Sequence, residues 1–408
     1  MAKRRQYELR LFDRTLVEFS IADGSFSPEI SLDDFDNTAL PLMPCGLAPT
    51  SEGLRNWLEI RSIPTNRRNA AQICRELGFT LGDLEALYRV SLGLSLNDSY
   101  WVVPRGFAGL FDDYNLFDNS FSEAIGALAV VGEVRGGSLK GNTPELTTDG
   151  TLRKGWRIVD GKRILYKGSS EGFVPGEPVS EYLAYLIARI MGLDAVPYGI
   201  DEWQGEQCST CECFSSKDVS YVPFAVGTGI TDLAGALWWC AQLGQEQLES
   251  FCNMLAFDAL VCNTDRHFTN FGLLRDSHSG QILGLAPVFD NGRSLFPNIA
   301  EDDAKQFVLE SQLRAPSFGG GTFEEQLGHF LGHNQISLFE KASERGIVGN
   351  VLVSGRRVAA LDSFIRTRAN ELCEPHPIDH AELIDQLAKA VENRAPKNDG
   401  IVRLTLPE

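Results

Sequence analysis

One loop constrains this chain more than any other stretch. Asn263-Thr264-Asp265-Arg266-His267-Phe268-Thr269-Asn270 sets an Asn five positions after an Asp, and Phe289-Asp290-Asn291-Gly292 follows downstream. Phosphoryl transfer uses such a trio: one Asp orients and deprotonates the acceptor hydroxyl, while the Asn and the later Asp hold magnesium ions. The interval requires the loop to curl back, so that base and metal ligand flank the same phosphate.

At 408 residues the chain is long enough for two or three domains. Its apolar runs, such as 124–131, are shorter than the about eighteen residues of a membrane span. Lys3, Arg4 and Arg5 lead into no apolar stretch, so the start does not read as a signal peptide. The expectation is a cytoplasmic protein without a membrane partner. A net charge of −18 argues against direct nucleic-acid contact through phosphates. Arg55, Arg61, Arg67, Arg68 and Arg75 fall in a helical stretch and read as a solvated face, with a docking patch for an acidic partner as the alternative. Nine cysteines, an odd number, fit reduced thiols. Cys208, Cys211 and Cys213 invite a zinc reading, but no fourth ligand or His lies nearby at finger-like spacing, so strand or loop thiols are expected.

The chain has no repeats or long linkers. Tyr7, Leu9 and Leu11 alternate against Leu16, Val17 and Phe19 as a hairpin. Thr65-Asn66 can cap a helix carrying Ala70, Ile73, Cys74 and Leu77, with Gly78 ending it, and a second helix carries Leu81, Leu84, Leu87 and Tyr88. From about Gly136 the texture turns to strands: a small-residue loop to Asn142, then Glu145 to Thr148, then two strands bracketing Asp160-Gly161. A helix with Leu183, Leu186, Ile187 and Ile190 on one face ends at Gly192, and strand material resumes over 196–200. The second half is mostly helical. A helix over 245–261 delivers the chain into the Asp265 loop, two short strands follow at 271–274 and 281–285, and helical periodicity returns from Thr322. Strands and a helix first, helices after, with the carboxylate motifs beyond the join, is the order of a bilobal kinase.

Each part of a phosphoryl-transfer site has a bland rival. Lys167 ends a strand, where it can grip nucleotide phosphates or simply be solvated. Glu181 sits near the start of the following helix, where it can pair with Lys167 or just favour the helix dipole. Ser138 to Glu145 can fold over phosphates as a Gly-rich loop, though Gly-Gly pairs mostly mark turns. Asp290-Asn291-Gly292 alone would pass for a hairpin turn. The reading rests on all five elements occurring in order. His267 as the base of a hydrolase lacks an accompanying Gly-x-Ser-x-Gly elbow, so it is read as a brace for the loop.

At these residues the chain resembles the HipA family of bacterial serine/threonine kinases of the toxin–antitoxin type. The stretches 263–272 and 285–292 look like that family's catalytic loop and metal-binding segment, and Glu181 through Leu193 looks like the helix after its nucleotide-binding lysine. The resemblance implies Asp265 as catalytic base, Asn270 and Asp290 as magnesium ligands, and Lys167 with Glu181 on the ATP phosphates. It implies a phosphate loop beginning Ser138-Leu139-Lys140-Gly141, with Ser138 and Gly141 at the phosphates and Ser138 open to autophosphorylation. Cys213 to Ser216, with Phe214, would be the interlobe hinge at the adenine. The chain has Thr143-Pro144-Glu145 where the family has Gln-x-Lys. Ser95 to Trp101 is similar to a stretch of the shorter HipA-like proteins of Gram-positive bacteria, and no chemistry attaches to it.

The expected architecture is α+β and bilobal, protein-kinase-like (HipA-like): an N-terminal α+β domain over 1–115, a small β-rich N-lobe over 116–216, and a mainly helical C-lobe over 217–408. The expected activity is an ATP- and Mg-dependent serine/threonine protein kinase capable of autophosphorylation. Its expected partners are a protein substrate, such as a tRNA synthetase or translation factor, and an antitoxin. Rival readings are a kinase of lipids or small molecules, a nucleotide-binding pseudokinase, and a DNA-associated regulator acting through a basic antitoxin.

Overall fold

The computed structural model describes residues 4–22, 29–132, 142–170, 176–300, 302–319, 321–347, 353–391, 401–404 and 406. Ser138 and Gly141 lie outside the described residues.

Among the described residues three antiparallel sheets organise the chain. The first is built from β1 (Arg4–Leu11), β2 (Arg14–Ala22), β3 (Glu29–Phe35) and β4 (Tyr100–Pro104) in the order β3-β2-β1-β4. The expected hairpin pairs Tyr7 with Phe19 and Leu9 with Val17. These side chains are buried against α1 (Ser51–Ile60), α2 (Ala70–Glu76) and α3 (Leu84–Ser91). The same apolar cluster takes in Ile125, Leu128 and Ala129 of α4 (Glu123–Val131) and Leu146.

Helix α2 starts at Ala70 behind Asn69, which is left-handed at φ 65°; Thr65-Asn66 do not cap it. Asn69 instead donates through Nδ2 to the Leu128 and Ala129 carbonyls, both at 3.3 Å. The arginines do not form one solvated helical face either. Arg61 grips Asp98 with two bonds of 2.6 Å, and Arg67 is buried. Of the five, Arg68 and Arg75 are exposed.

The second sheet holds β5 (Lys154–Val159), β6 (Lys162–Lys167), β7 (Tyr198–Trp203) and β8 (Glu206–Glu212) in the order β5-β6-β8-β7. Asp160 and Gly161 both take positive φ, 50° and 77°, in the two-residue turn between β5 and β6, which matches the twist of the strands it joins. Glu145 to Thr148 is not a strand: Pro144–Leu146 forms a 3-10 turn. Its Glu145 carboxylate is fully buried and accepts from the Trp156 amide at 2.8 Å, so this end of the expected phosphate loop faces the protein interior. Helix α4 lies flush on β5 because Gly126 and Gly155 meet there; a Cβ at Gly155 would collide with the Gly126 carbonyl.

Helix α5 (Glu177–Met191) follows, ended by left-handed Gly192. It buries more than one apolar stripe: Glu181, Leu183, Ala184, Ile187 and Ala188 are all inside, while Leu186 and Ile190 are partly open. A helix buried around so much of its girth is wedged between two bodies rather than lying on one. Here those bodies are the second sheet and the helical half.

That half contains α6 (Phe224–Thr228), α7 (Leu233–Leu243), α8 (Gln245–Val261), α9 (Ala304–Ser311), α10 (Phe323–Leu327), α11 (His333–Glu344), α12 (Gly355–Leu372) and α13 (His380–Val391). From Phe251 onward α8 is buried almost all round. The third sheet, β11-β10-β9, joins β9 (Val219–Pro223), β10 (Gly272–Asp276) and β11 (Ile282–Leu285). Leu273 pairs with Leu285, so this hairpin brings the loop before β10 beside the segment after β11. No helix is long and apolar enough to cross a membrane among the described residues.

Candidate active site

The Asp265 loop leaves α8 through Cys262, left-handed at φ 54°. Asn263 is fully buried, donates to Asp258 Oδ1 at 2.9 Å and accepts from the Asp265 amide at 3.1 Å. The Asn270 side chain reaches back as the spacing requires, donating through Nδ2 to the Asp265 carbonyl at 2.8 Å and to Asp265 Oδ2 at 3.4 Å. Burial raises the pKa of half-buried Asp265, the Asp290 charge adds to it, and His267 and Arg293 oppose it. A raised carboxylate is better suited to accept a proton.

Asp290 adopts φ 59°, a backbone state that a non-glycine residue holds only where its surroundings enforce it. The enforcing contacts come from β6 and α5. Lys167 Nζ lies 2.5 Å from Asp290 Oδ1 and 2.7 Å from Glu181 Oε2. The other Glu181 oxygen accepts from the Asn291 amide at 2.5 Å. Burial works against all three charges. For Lys167 and Asp290 their mutual attraction wins, so the lysine is held well above its ordinary range and the aspartate well below its own. For Glu181 burial prevails over Lys167, and its pKa is raised.

The brace of the loop is Arg266, not His267, which is exposed and bonded to Thr269 Oγ1 at 2.8 Å. Arg266 is 1% exposed, and its five N–H groups meet five acceptors. Nε and Nη2 donate to the two Asp258 oxygens at 2.9 and 3.2 Å, and Nη1 donates to the Asn270 and Phe289 carbonyls at 2.7 and 2.6 Å. The last bond runs from Nη2 to Asn291 Oδ1 at 2.5 Å. One guanidinium thus ties α8, the loop and the Asp290 segment together. The Asp-Arg pair was visible in the sequence, but Asp258 inside an apolar helix was the available signal for a buried partner.

A cavity of about 180 Å³ opens beside these groups. Lys167, Lys154, Asn270, Asp290, Asp149 and Glu212 are among its charged and polar lining, and Leu165, Val196, Phe214 and Phe289 supply apolar surface. Phe214, Tyr221 and Phe289 form a triangle with centroids 5.3 to 5.5 Å apart. Cys213 and Phe214 lie in the passage between β8 of one lobe and β9 of the other, and both line the cavity. Cys208 and Cys211 are buried in separate apolar clusters, and burial pushes both thiols up to about 12. The Ser95 to Trp101 stretch docks on this passage. Its Asn97 carbonyl accepts from the Tyr221 amide at 2.7 Å, Ser99 donates to the Lys217 carbonyl at 2.7 Å, and Ser95, Leu96 and Asn97 line the cavity.

Asp290 and Asn270 offer hard oxygen donors at one end of the cavity, the ligand type magnesium takes. Among the described residues Asn270 Oδ1 accepts no hydrogen bond, because the amide nitrogen makes the contacts to Asp265.

No family model matches the chain. The serine/threonine-protein kinase CtkA of Helicobacter pylori (strain J99) is 28% identical over 146 residues, covering 32% of this chain and 44% of that protein. The chain therefore matches less than half of that relative's length. A chain in the HipA, HipB and operator DNA complex of the Shewanella oneidensis MR-1 toxin–antitoxin system aligns with 94% of this chain and 99% of its own. Its TM-score is 0.51 at 14% identity, a likeness of fold. The crystal structure of the Helicobacter pylori proinflammatory kinase CtkA covers 61% of this chain and 94% of its own, with a TM-score of 0.45 and 17% identity.

The mixed α+β architecture is thus like the fold of that HipA-complex chain. The sequence match reaches part of one serine/threonine-protein kinase, and the fold match is to a chain of the HipA–HipB complex.

Proposed function

We propose that the protein is an ATP- and magnesium-dependent serine/threonine protein kinase of the HipA type. The observation that carries this reading is the Lys167 ammonium held between Glu181 and Asp290 at the wall of a cavity that Asn270 also lines. The nucleotide base would lie toward Phe214 and Phe289, and the phosphates toward Lys167. Asp265 would accept the proton of the acceptor hydroxyl, its raised pKa aiding that step. Asn270 would keep Asp265 in place through its amide while presenting its oxygen to the metal. Bound magnesium would supply neutralisation of charge on the phosphates, held by Asp290 and Asn270. Lys167 would orient the phosphate chain, with Glu181 fixing the lysine.

The acceptor would be a protein hydroxyl, this chain's own Ser138 or one on a partner. A chain of net charge −18 suits a basic antitoxin-type partner better than direct contact with DNA. The test is incubation of the protein with magnesium and labelled ATP, with and without phosphoinositide vesicles, followed by mass spectrometry. Phosphate on serine or threonine of the protein is the expected result. Label in lipid alone would assign the chain to another kinase class, and no label in any acceptor would contradict the reading.

A further inference from the structure

Lys154, to which no role was assigned from the sequence, opens β5, and the ladder register sets it directly opposite Lys167 on β6. Residues so paired project to the same face of a sheet, and both lysines line the cavity that holds Asp290. Their situations differ. Lys167 is shared between two carboxylates at 2.7 and 2.5 Å. Among the described residues the Lys154 ammonium has no hydrogen bond and no ion pair; it rests against Gly150, where an added Cβ would collide with it.

The backbone beneath Lys154 is fixed from the N-terminal unit. Buried Arg67 donates through Nη2 to the Lys154 carbonyl, and through Nη1 to the Glu145 and Thr148 carbonyls at 3.3 and 3.2 Å. The arch so held brings Thr148, Asp149, Gly150 and Lys154 to the cavity wall. An amine drawn from water without an anionic partner is unfavourable until an anion arrives. Burial accordingly lowers its pKa to about 8; Lys167 and Arg67 add to the fall while Asp290 and Asp149 oppose it.

We propose that Lys154 is a second cationic contact for the phosphate chain of the bound nucleotide. The inference rests on the nucleotide reading above and deepens it. A triphosphate brings more negative charge than one lysine already shared by two carboxylates can balance, and Lys154 is the uncommitted cation beside it.

The test is equilibrium binding of magnesium-ATP and of adenosine, a phosphate-free probe, to the full chain and its Lys154→Met and Lys154→Arg variants. Loss of a charge-assisted contact should weaken ATP about tenfold or more in Lys154→Met, leave adenosine unchanged, and be largely repaired in Lys154→Arg. Unchanged ATP affinity in Lys154→Met, beside a wild type that binds ATP, overturns the inference alone. Equal losses for ATP and adenosine overturn it as well, because a phosphate contact cannot weaken a phosphate-free ligand. A wild type that binds neither compound removes the nucleotide reading itself, and this inference with it.

Discussion

The Lys167 ammonium stands 2.5 Å from the Asp290 carboxylate across 123 positions of sequence. The same ammonium is 2.7 Å from Glu181, whose other oxygen holds the Asn291 amide. A strand of one lobe, the helix α5 and the segment after β11 are therefore fastened at a single charge. Removing it leaves two carboxylates facing each other in a largely buried place. Lys167→Met should cost about 3–5 kcal/mol of stability, the usual size for breaking a buried ion pair, read by denaturant unfolding. An unfolding free energy equal to that of the wild type would show the bridge to be energetically idle.

Arg266 offers a sharper test of the loop. Lysine keeps the positive charge against Asp258 but has three donors for five acceptors. Arg266→Lys should therefore lose about 2–4 kcal/mol of stability and most phosphoryl transfer, because the Asn270 and Phe289 carbonyls lose their common anchor. His267→Ala, at an exposed ring, should leave stability within about 0.5 kcal/mol of the wild type. If the two substitutions had the opposite ranking, the brace would be misassigned.

Arg67→Met tests the link between the N-terminal unit and the cavity. It leaves three carbonyls of the arch at 145–154 without their shared donor. A loss of about 2–3 kcal/mol is expected, seen as a lower thermal midpoint. A solvated surface arginine would give almost none.

The site also carries an acid sensitivity of definite sign. Glu177 accepts from Ser169 Oγ at 2.9 Å and the Ser170 amide at 3.0 Å, just after Lys167. Burial raises its carboxyl, but the bonds from Ser170 and Ser169 outweigh burial and hold the pKa below the ordinary 4.5. A depressed carboxylate stabilises the fold fully above 4.5, and that contribution is lost as pH falls through the lower folded value. Glu177→Gln keeps an acceptor and removes the titration, so its thermal midpoint should fall less steeply than the wild type's below pH 4.5. Parallel slopes would contradict this.

The sequence made some of this legible, and the reasons are local. Asp160-Gly161 marked its hairpin because only certain residues take two positive φ values in succession. Helix α8 carried enough apolar residues for its span to be read, and the spacing of Asp265 and Asn270 encoded the loop's return. What escaped depends on partners distant in sequence. Arg67 reads as a surface residue until Glu145, Thr148 and Lys154 are brought over it. His267 draws attention by its chemistry, whereas the bracing falls to Arg266 through Asp258, eight residues earlier inside a helix. Helix α2 starts behind Asn69 rather than Thr65-Asn66, and the Asn69 amide bonds α4 carbonyls instead of capping the helix. Strand β9 and the docking of Ser95 to Trp101 on the passage between β8 and β9 were invisible because neither carries a local signal of its partner.

The proposed division of labour between Asp265 and Asp290 is read out by label transfer from γ-labelled ATP. The measurement compares wild type, Asp265→Asn and Asp290→Ala, with magnesium-ATP affinity determined in parallel. Labelled protein is expected for the wild type alone, with near-normal nucleotide affinity in Asp265→Asn and weakened magnesium-dependent affinity in Asp290→Ala. Near-normal transfer in either variant would contradict it.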